Sequence, residues 1–147
     1  MLIIISKDLS CSQINYEVFQ QLNKLVDKIP CCLVYKNLTN SFYPAKFPVL
    51  NYSKIFSGYL TNSLIIATDL DSAYTLSNVK NSAKKIFYAW ELEFLKNKNY
   101  TTNYQIYNSL PVFTRSKSYK EALDNYANID SKIEELNLET LWTLNIS

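Results

Sequence analysis

Leu2-Ile3-Ile4-Ile5, then Ile14, Val18, Leu22, Leu25 and Ile29 at helical spacing, then Cys31-Cys32-Leu33-Val34-Tyr35, is the stretch that decides the fold. The two apolar runs are too short for buried helices and have the β-branched and aromatic character of strands covered on both faces. Between them, Ser10 and Gln13 form an S-x-x-Q pattern, which predicts a capping box at the start of an amphipathic helix. Pro30 then forbids the helix to continue. A strand, a helix and a strand at these lengths make a βαβ unit, whose two strands lie parallel.

The same alternation continues down the chain. Ser63-Leu64-Ile65-Ile66-Ala67-Thr68 is a third buried strand, followed by Asp69 or Asp71 as cap for a helix carrying Leu70, Ala73, Leu76 and Val79. Lys85-Ile86-Phe87-Tyr88-Ala89-Trp90 is a fourth strand, and Glu91-Leu92-Glu93-Phe94-Leu95 begins a helical segment with acidic residues where a helix dipole favours them. The periodicity of Tyr100 to Asn108 fits no single element. Pro111-Val112-Phe113-Thr114-Arg115 makes a fifth strand, and Ser118 with Glu121, then Ser131 with Glu134, predict capped helices to the C-terminus. Asn37 to Asn62, with Pro44, Pro48 and Gly58, reads as irregular chain with at most a short strand near Ile55-Phe56, and can serve as an active-site or partner-binding loop.

The expectation is one Rossmann-like domain over 1–147: a three-layer α/β sandwich on a mostly parallel sheet of about five strands, near 2–6, 32–36, 63–68, 85–90 and 111–115. A length of 147 residues and a hydrophobic fraction of 48% fit one such domain. No apolar run approaches the roughly 18 residues of a membrane span, so no membrane partner is expected. Three cysteines, two of them adjacent in an apolar run, read as packing in a reducing cytoplasm rather than as a disulfide framework.

Composition also removes chemistry. Fifteen basic against thirteen acidic residues leave +2, too little for a phosphate-backbone footprint, so nucleic acid is not expected. The chain has no histidine, hence no imidazole base, triad or favoured zinc ligand. Gly58 is the one glycine, which excludes the G-x-G-x-x-G fingerprint and the P-loop. No cofactor or metal is implied, and any chemistry falls to carboxylates, Lys, Tyr, Ser or backbone groups.

In open parallel sheets ligands bind beyond the carboxyl ends of the strands, where strand order reverses. That rule nominates Ser6, Lys7 and Asp8, then Lys36, then Thr68 and Asp69, then Trp90 and Glu91, then Arg115 and Ser116. Asp69 and Asp71 suit a general base, although capping is the commoner role at a helix start. Glu91 and Glu93 point to different sides of a helix, so one at most faces a site, and Glu91 is the better placed. Arg115, the only arginine among fourteen lysines, can clamp a phosphate or carboxylate with its planar fork, or make a surface ion pair. Lys80, Lys84 and Lys85 read as a solvated turn.

The order Ile65-Ile66-Ala67-Thr68, Lys85-Ile86-Phe87-Tyr88-Ala89-Trp90-Glu91-Leu92-Glu93, then Val112-Phe113-Thr114-Arg115-Ser116 leading to Tyr119 and Asn125 resembles the N-terminal half of a GT-B glycosyltransferase, as in small glycosyltransferase-like proteins of marine bacteriophages. The likeness covers roughly residues 63 to 138. In that family a C-terminal Rossmann domain holds most of the donor nucleotide sugar. The resemblance therefore implies a half that binds a sugar, a nucleotide or a glycan acceptor and lacks the second domain needed for independent transfer. The alternative is a non-enzymatic phage interaction protein with a protein partner on the same fold. The ligand-binding candidates are Ser6, Asp69, Glu91, Arg115 and Ser116, with no catalytic residue assigned.

Overall fold

A computed structural model describes residues 1–39, 43–54 and 62–146. In chain order the elements are β1 (Leu2–Asp8), α1 (Gln13–Leu25), β2 (Cys31–Asn37), β3 (Val49–Asn51), β4 (Leu64–Ala67), α2 (Leu70–Ser77), β5 (Lys84–Ala89), α3 (Tyr100–Ser109), β6 (Val112–Thr114), α4 (Lys117–Ala127), β7 (Lys132–Ile133) and α5 (Leu138–Ile146). Single turns of 3-10 helix occupy Tyr52–Lys54 and Glu93–Leu95. The strands form one sheet in the order β3-β2-β1-β4-β5-β6-β7, and every pairing is parallel.

The apolar runs are continuous because each strand is covered on both faces. Leu2, Ile4, Leu33, Leu64, Ile66, Ile86 and Tyr88 pack against Val18, Phe19 and Leu22 of α1 and Leu138 and Leu141 of α5. Their neighbours Ile3, Ile5, Val34, Ile65, Ala67, Phe87 and Ala89 pack on the opposite face against α2, α3 and α4. Each such side chain contributes about 1.5 to 3 kcal/mol by leaving water, so the central strands β1 and β4 anchor the molecule. Gln21 ties the first layer together: its Nε2 donates to the Leu136 carbonyl at 2.6 Å and its Oε1 accepts from the Leu138 N–H at 2.7 Å.

The sheet has seven strands among the described residues rather than about five. The two extra ones are the edges, three and two residues long. β3 lies in the proline-containing stretch and carries no fully buried residue, and both residues of β7 are exposed, so neither leaves an apolar signature. The strand expected near Ile55-Phe56 falls outside the described residues.

Helix starts also differ from the expected capping boxes. Ser12, not Ser10, caps α1 by accepting from the Asn15 N–H, and Ser116, not Ser118, caps α4 through the Tyr119 N–H. The pair Ser131 and Glu134 starts no helix, because Lys132–Ile133 joins the sheet as β7. Asn137 caps α5 instead, accepting from the Thr140 N–H at 3.0 Å. Residues 91 to 95 bend and make one 3-10 turn rather than a helix, while Tyr100–Ser109 is helical with Asn99 as its cap. α4 ends on Asn128 at φ 51°, a left-handed position usually given to glycine, which asparagine also tolerates. No helix among the described residues is long and apolar enough to cross a membrane.

β7 is held by a polar clasp from α4. Asp124 accepts from the Ser131 N–H at 2.9 Å and its hydroxyl at 2.7 Å, and Lys120 reaches Asp124, Asp130 and the Ser131 carbonyl. Partial burial works to raise the Asp124 pKa, but the Lys120 and Ser131 donors outweigh it and hold the carboxyl below the usual aspartate range. Stability from this depressed group is present above the ordinary aspartate value and is lost as pH falls through its folded value. Asp124→Ala should therefore cost about 1 to 2 kcal/mol at neutral pH by urea titration, and less in acid. An equal loss at both pH values would remove the ionic part of this account.

Candidate functional site

The order of the sheet places its reversal between β1 and β4. The chain leaves β1 towards β2 and β3, then returns to β1's other side as β4. The loops after these two strands diverge, and a cleft of about 780 Å³ opens over their carboxyl ends. Four segments wall it: the β1–α1 loop, the start of α2, the bend after β5, and the start of α3.

The end of β1 and the β1–α1 loop, Lys7 to Ser12, have no glycine and are shaped from inside by Asn15. This side chain is buried, donates to the carbonyls of Asp8 at 3.1 Å and Ser10 at 2.9 Å, and accepts the Ser6 hydroxyl at 3.0 Å. The Ser6 hydroxyl also lies 2.9 Å from the Asp8 carbonyl, so its one proton serves two acceptors. Asp8 Oδ1 accepts both the N–H and the hydroxyl of Ser10. Ser12 meanwhile occupies the first turn of α1.

The start of α2 is filled by two carboxylates. Asp69 is its cap, accepting from the Ser72 N–H and hydroxyl, both at 2.8 Å, and from the Lys7 N–H at 2.7 Å, which binds the ends of β1 and β4 together. Glu93 reaches over from the bend after β5 and accepts the Leu70 N–H through Oε1 at 2.9 Å. Oε2 of Glu93 has no hydrogen-bond partner among the described residues. Burial pushes the Asp69 pKa up against its hydrogen bonds, with Asp71 adding to the rise. Burial, followed by the charge of Asp69, raises Glu93 from the ordinary 4.5 to about 7.

Of the five residues nominated by the sequence, Ser6, Asp69 and Glu91 line this cleft, and Arg115 and Ser116 do not. Glu91 and Glu93 both line it, because the backbone there bends and the helical argument for separating them does not apply. Glu91 is exposed and paired with Lys96 at 2.9 Å, so Glu93 is the carboxylate that faces inward without a lysine partner. Arg115 is sandwiched between the rings of Trp90 and Tyr119, 4.7 Å from each centroid, and donates to the Tyr119 hydroxyl at 2.8 Å. It makes no ion pair among the described residues, so the surface ion pair is not formed there. Ser116 is occupied as the cap of α4.

Lysines answer other charges nearby. Lys36, nominated at the end of β2, pairs with Asp71 at 2.5 Å. The lining side chains that the sequence did not nominate include Asn15, Tyr74, Asn97, Asn99 and Asn103, and Glu93, which the sequence placed second to Glu91, lines it too. Asparagine is common throughout this chain, so only the buried positions of Asn15 and Asn103 distinguish them, and burial of a polar residue inside a helix is visible in the periodicity of α1 alone. No three carboxylate or thiol side chains among the described residues gather as a metal cage. Compared with family models, curated proteins and solved structures, the chain matches none.

Proposed function

We propose that this protein is a glycosyltransferase-like domain on a Rossmann-like sheet that binds a sugar or glycan acceptor in the cleft over β1 and β4. The order 3-2-1-4-5-6 of its first six strands is that of doubly wound nucleotide-binding sheets, which supports the Rossmann-like reading. The observation that carries the sugar reading is how the helix starts are used. In nucleotide-binding sheets a free helix N-terminus receives phosphate. Here Ser12 fills that of α1, and Asp69 and Glu93 fill that of α2. Two carboxylates at the second position repel a phosphate.

What remains in the wall is hydroxyl, amide and carboxylate groups and the ammonium groups of Lys7, Lys96 and Lys98, beside half-exposed Tyr74 and partly buried Trp90. That mixture suits a polyhydroxylated ligand, whose hydroxyls need both donors and acceptors and whose apolar ring face stacks on aromatics. The cleft is also within the usual size of small-molecule sites. A thermal-shift panel of neutral sugars, nucleoside diphosphates and nucleotide sugars tests the proposal. A sugar held at 100 times its Kd should add about 2.7 kcal/mol of stability, with no response to nucleoside diphosphate alone. Tight binding of the free nucleotide would reverse the assignment. A panel silent throughout would favour the interaction protein.

A further inference from the structure

Resting on the reading of this cleft as a sugar site, we propose that its ligand is an amino sugar, with the ammonium group received by Glu93 and the side-chain carbonyl of Asn103. Three observations converge on it. The first is the charge left over. Glu91 is paired with Lys96 and Asp71 with Lys36, whereas Asp8, Asp69 and Glu93 make no ion pair among the described residues. Asp69 is committed to three donors of its own chain and Asp8 to two, whereas Glu93 accepts one, the Leu70 N–H, and its Oε2 has no partner among the described residues.

The second observation is Asn103. It is completely buried and lines the cleft. Its Nδ2 donates to the Asn97 carbonyl at 2.9 Å, which fixes the amide, and its Oδ1 has no partner. A buried acceptor left without a donor is costly, and a ligand N–H relieves that cost. The third is geometry: no three carboxylate or thiol groups gather as a cage for a bare metal ion among the described residues, so the donor is better supplied by an organic cation with several N–H bonds.

The groups facing Glu93 support a cation that ionises it. Asp69 from the start of α2 and Glu91 from the same bend raise its proton affinity, while Lys7 at the end of β1 lowers it. Lys96 and, from α3, Tyr107 also sense its charge. No lysine among the described residues stands within salt-bridge distance of Glu93, so a ligand ammonium would supply the counter-charge that the chain does not.

Titrating isotope-labelled protein with glucosamine, N-acetylglucosamine and glucose, and following backbone and asparagine side-chain amide resonances, tests the inference. Glucosamine should bind at least about tenfold more tightly than either neutral sugar, with the Asn103 side-chain amide among the resonances that shift, and Glu93→Gln should erase the preference. That variant keeps an acceptor for the Leu70 N–H, so loss of folding does not confuse the result. Neutral sugars bound as tightly as the amine would overturn the ammonium site and leave the sugar site standing. No binding of any of the three would overturn both. Amine binding that survives unchanged in Glu93→Gln would assign it to another surface and overturn the proposal.

Discussion

Near pH 8 the Glu93→Gln variant should be about 2 kcal/mol more stable than the parent, and near pH 4.5 the two should unfold alike. The folded protein raises the Glu93 pKa from 4.5 to about 7, so between those values the native state holds a proton that the unfolded chain releases. A raised carboxyl pKa contributes stability that is fully present below about 4.5 and is lost as pH rises through about 7. The shift corresponds to about 3 kcal/mol, and water at the mouth of the cleft reduces the expected effect to about 2. Glutamine keeps the acceptor for the Leu70 N–H and carries no charge, so it retains the bond and escapes the penalty. Urea titrations of both proteins from pH 4.5 to 8 check this. A variant less stable at every pH would mean that the ionised carboxylate is a net support to α2. Asp69 rises in the same direction, so part of the pH slope should remain in the variant. A side chain whose charged form weakens the fold is characteristic of a group retained for binding.

Asn15→Leu should lower stability by about 3 kcal/mol and abolish ligand binding in the cleft. Leucine matches asparagine closely enough in size to enter the site, but it removes three hydrogen bonds, to the Asp8 and Ser10 carbonyls and from the Ser6 hydroxyl, each worth about 1 kcal/mol, and leaves that loop to the Ser6–Asp8 and Ser12–Ser10 bonds. The loop it shapes is the element that nucleotide-binding sheets build with glycines. Here the turn is held by side-chain hydrogen bonds from the helix it precedes. A loss below about 1 kcal/mol, with the loop unchanged by amide exchange, would show that Asp8 and Ser10 hold it unaided.

The central strands were legible because burial on both faces writes a continuous apolar run, as in Leu2 to Ile5 and Leu64 to Ala67. The edges were not: Lys132 and Ile133 pair with β6 through backbone, with the Lys132 ammonium over the Phe113 ring, and bury no side chain. Caps misled for a related reason. Ser, Thr and Asn are so common here that several S-x-x-E or S-x-x-Q patterns occur by composition, and the chain chose Ser12, Ser116 and Asn137 by where strands end. Position after a strand led to Ser6 and Asp69, which line the cleft, because that placement follows from sheet topology. It gave no warning that Glu93, four residues past β5, swings to α2, since this depends on a bend that no local pattern encodes. Arg115 drew attention by rarity, yet its guanidinium lies against the rings of Trp90 and Tyr119 and outside the residues that line the cleft.

The placement of β1 bears on how the chain reaches this state. Leu2 pairs with Cys31 on one side and with Leu64 on the other, so the middle of the sheet is assembled from segments far apart in sequence. No hairpin exists among the described strands to form early and cheaply. Folding should therefore be limited by closing two long loops around one strand, which places it among slower single domains. Until β4 arrives, the apolar edge of β1 lies open, and crowding at that moment, rather than weakness of the finished fold, would set how much of the protein is lost to aggregation.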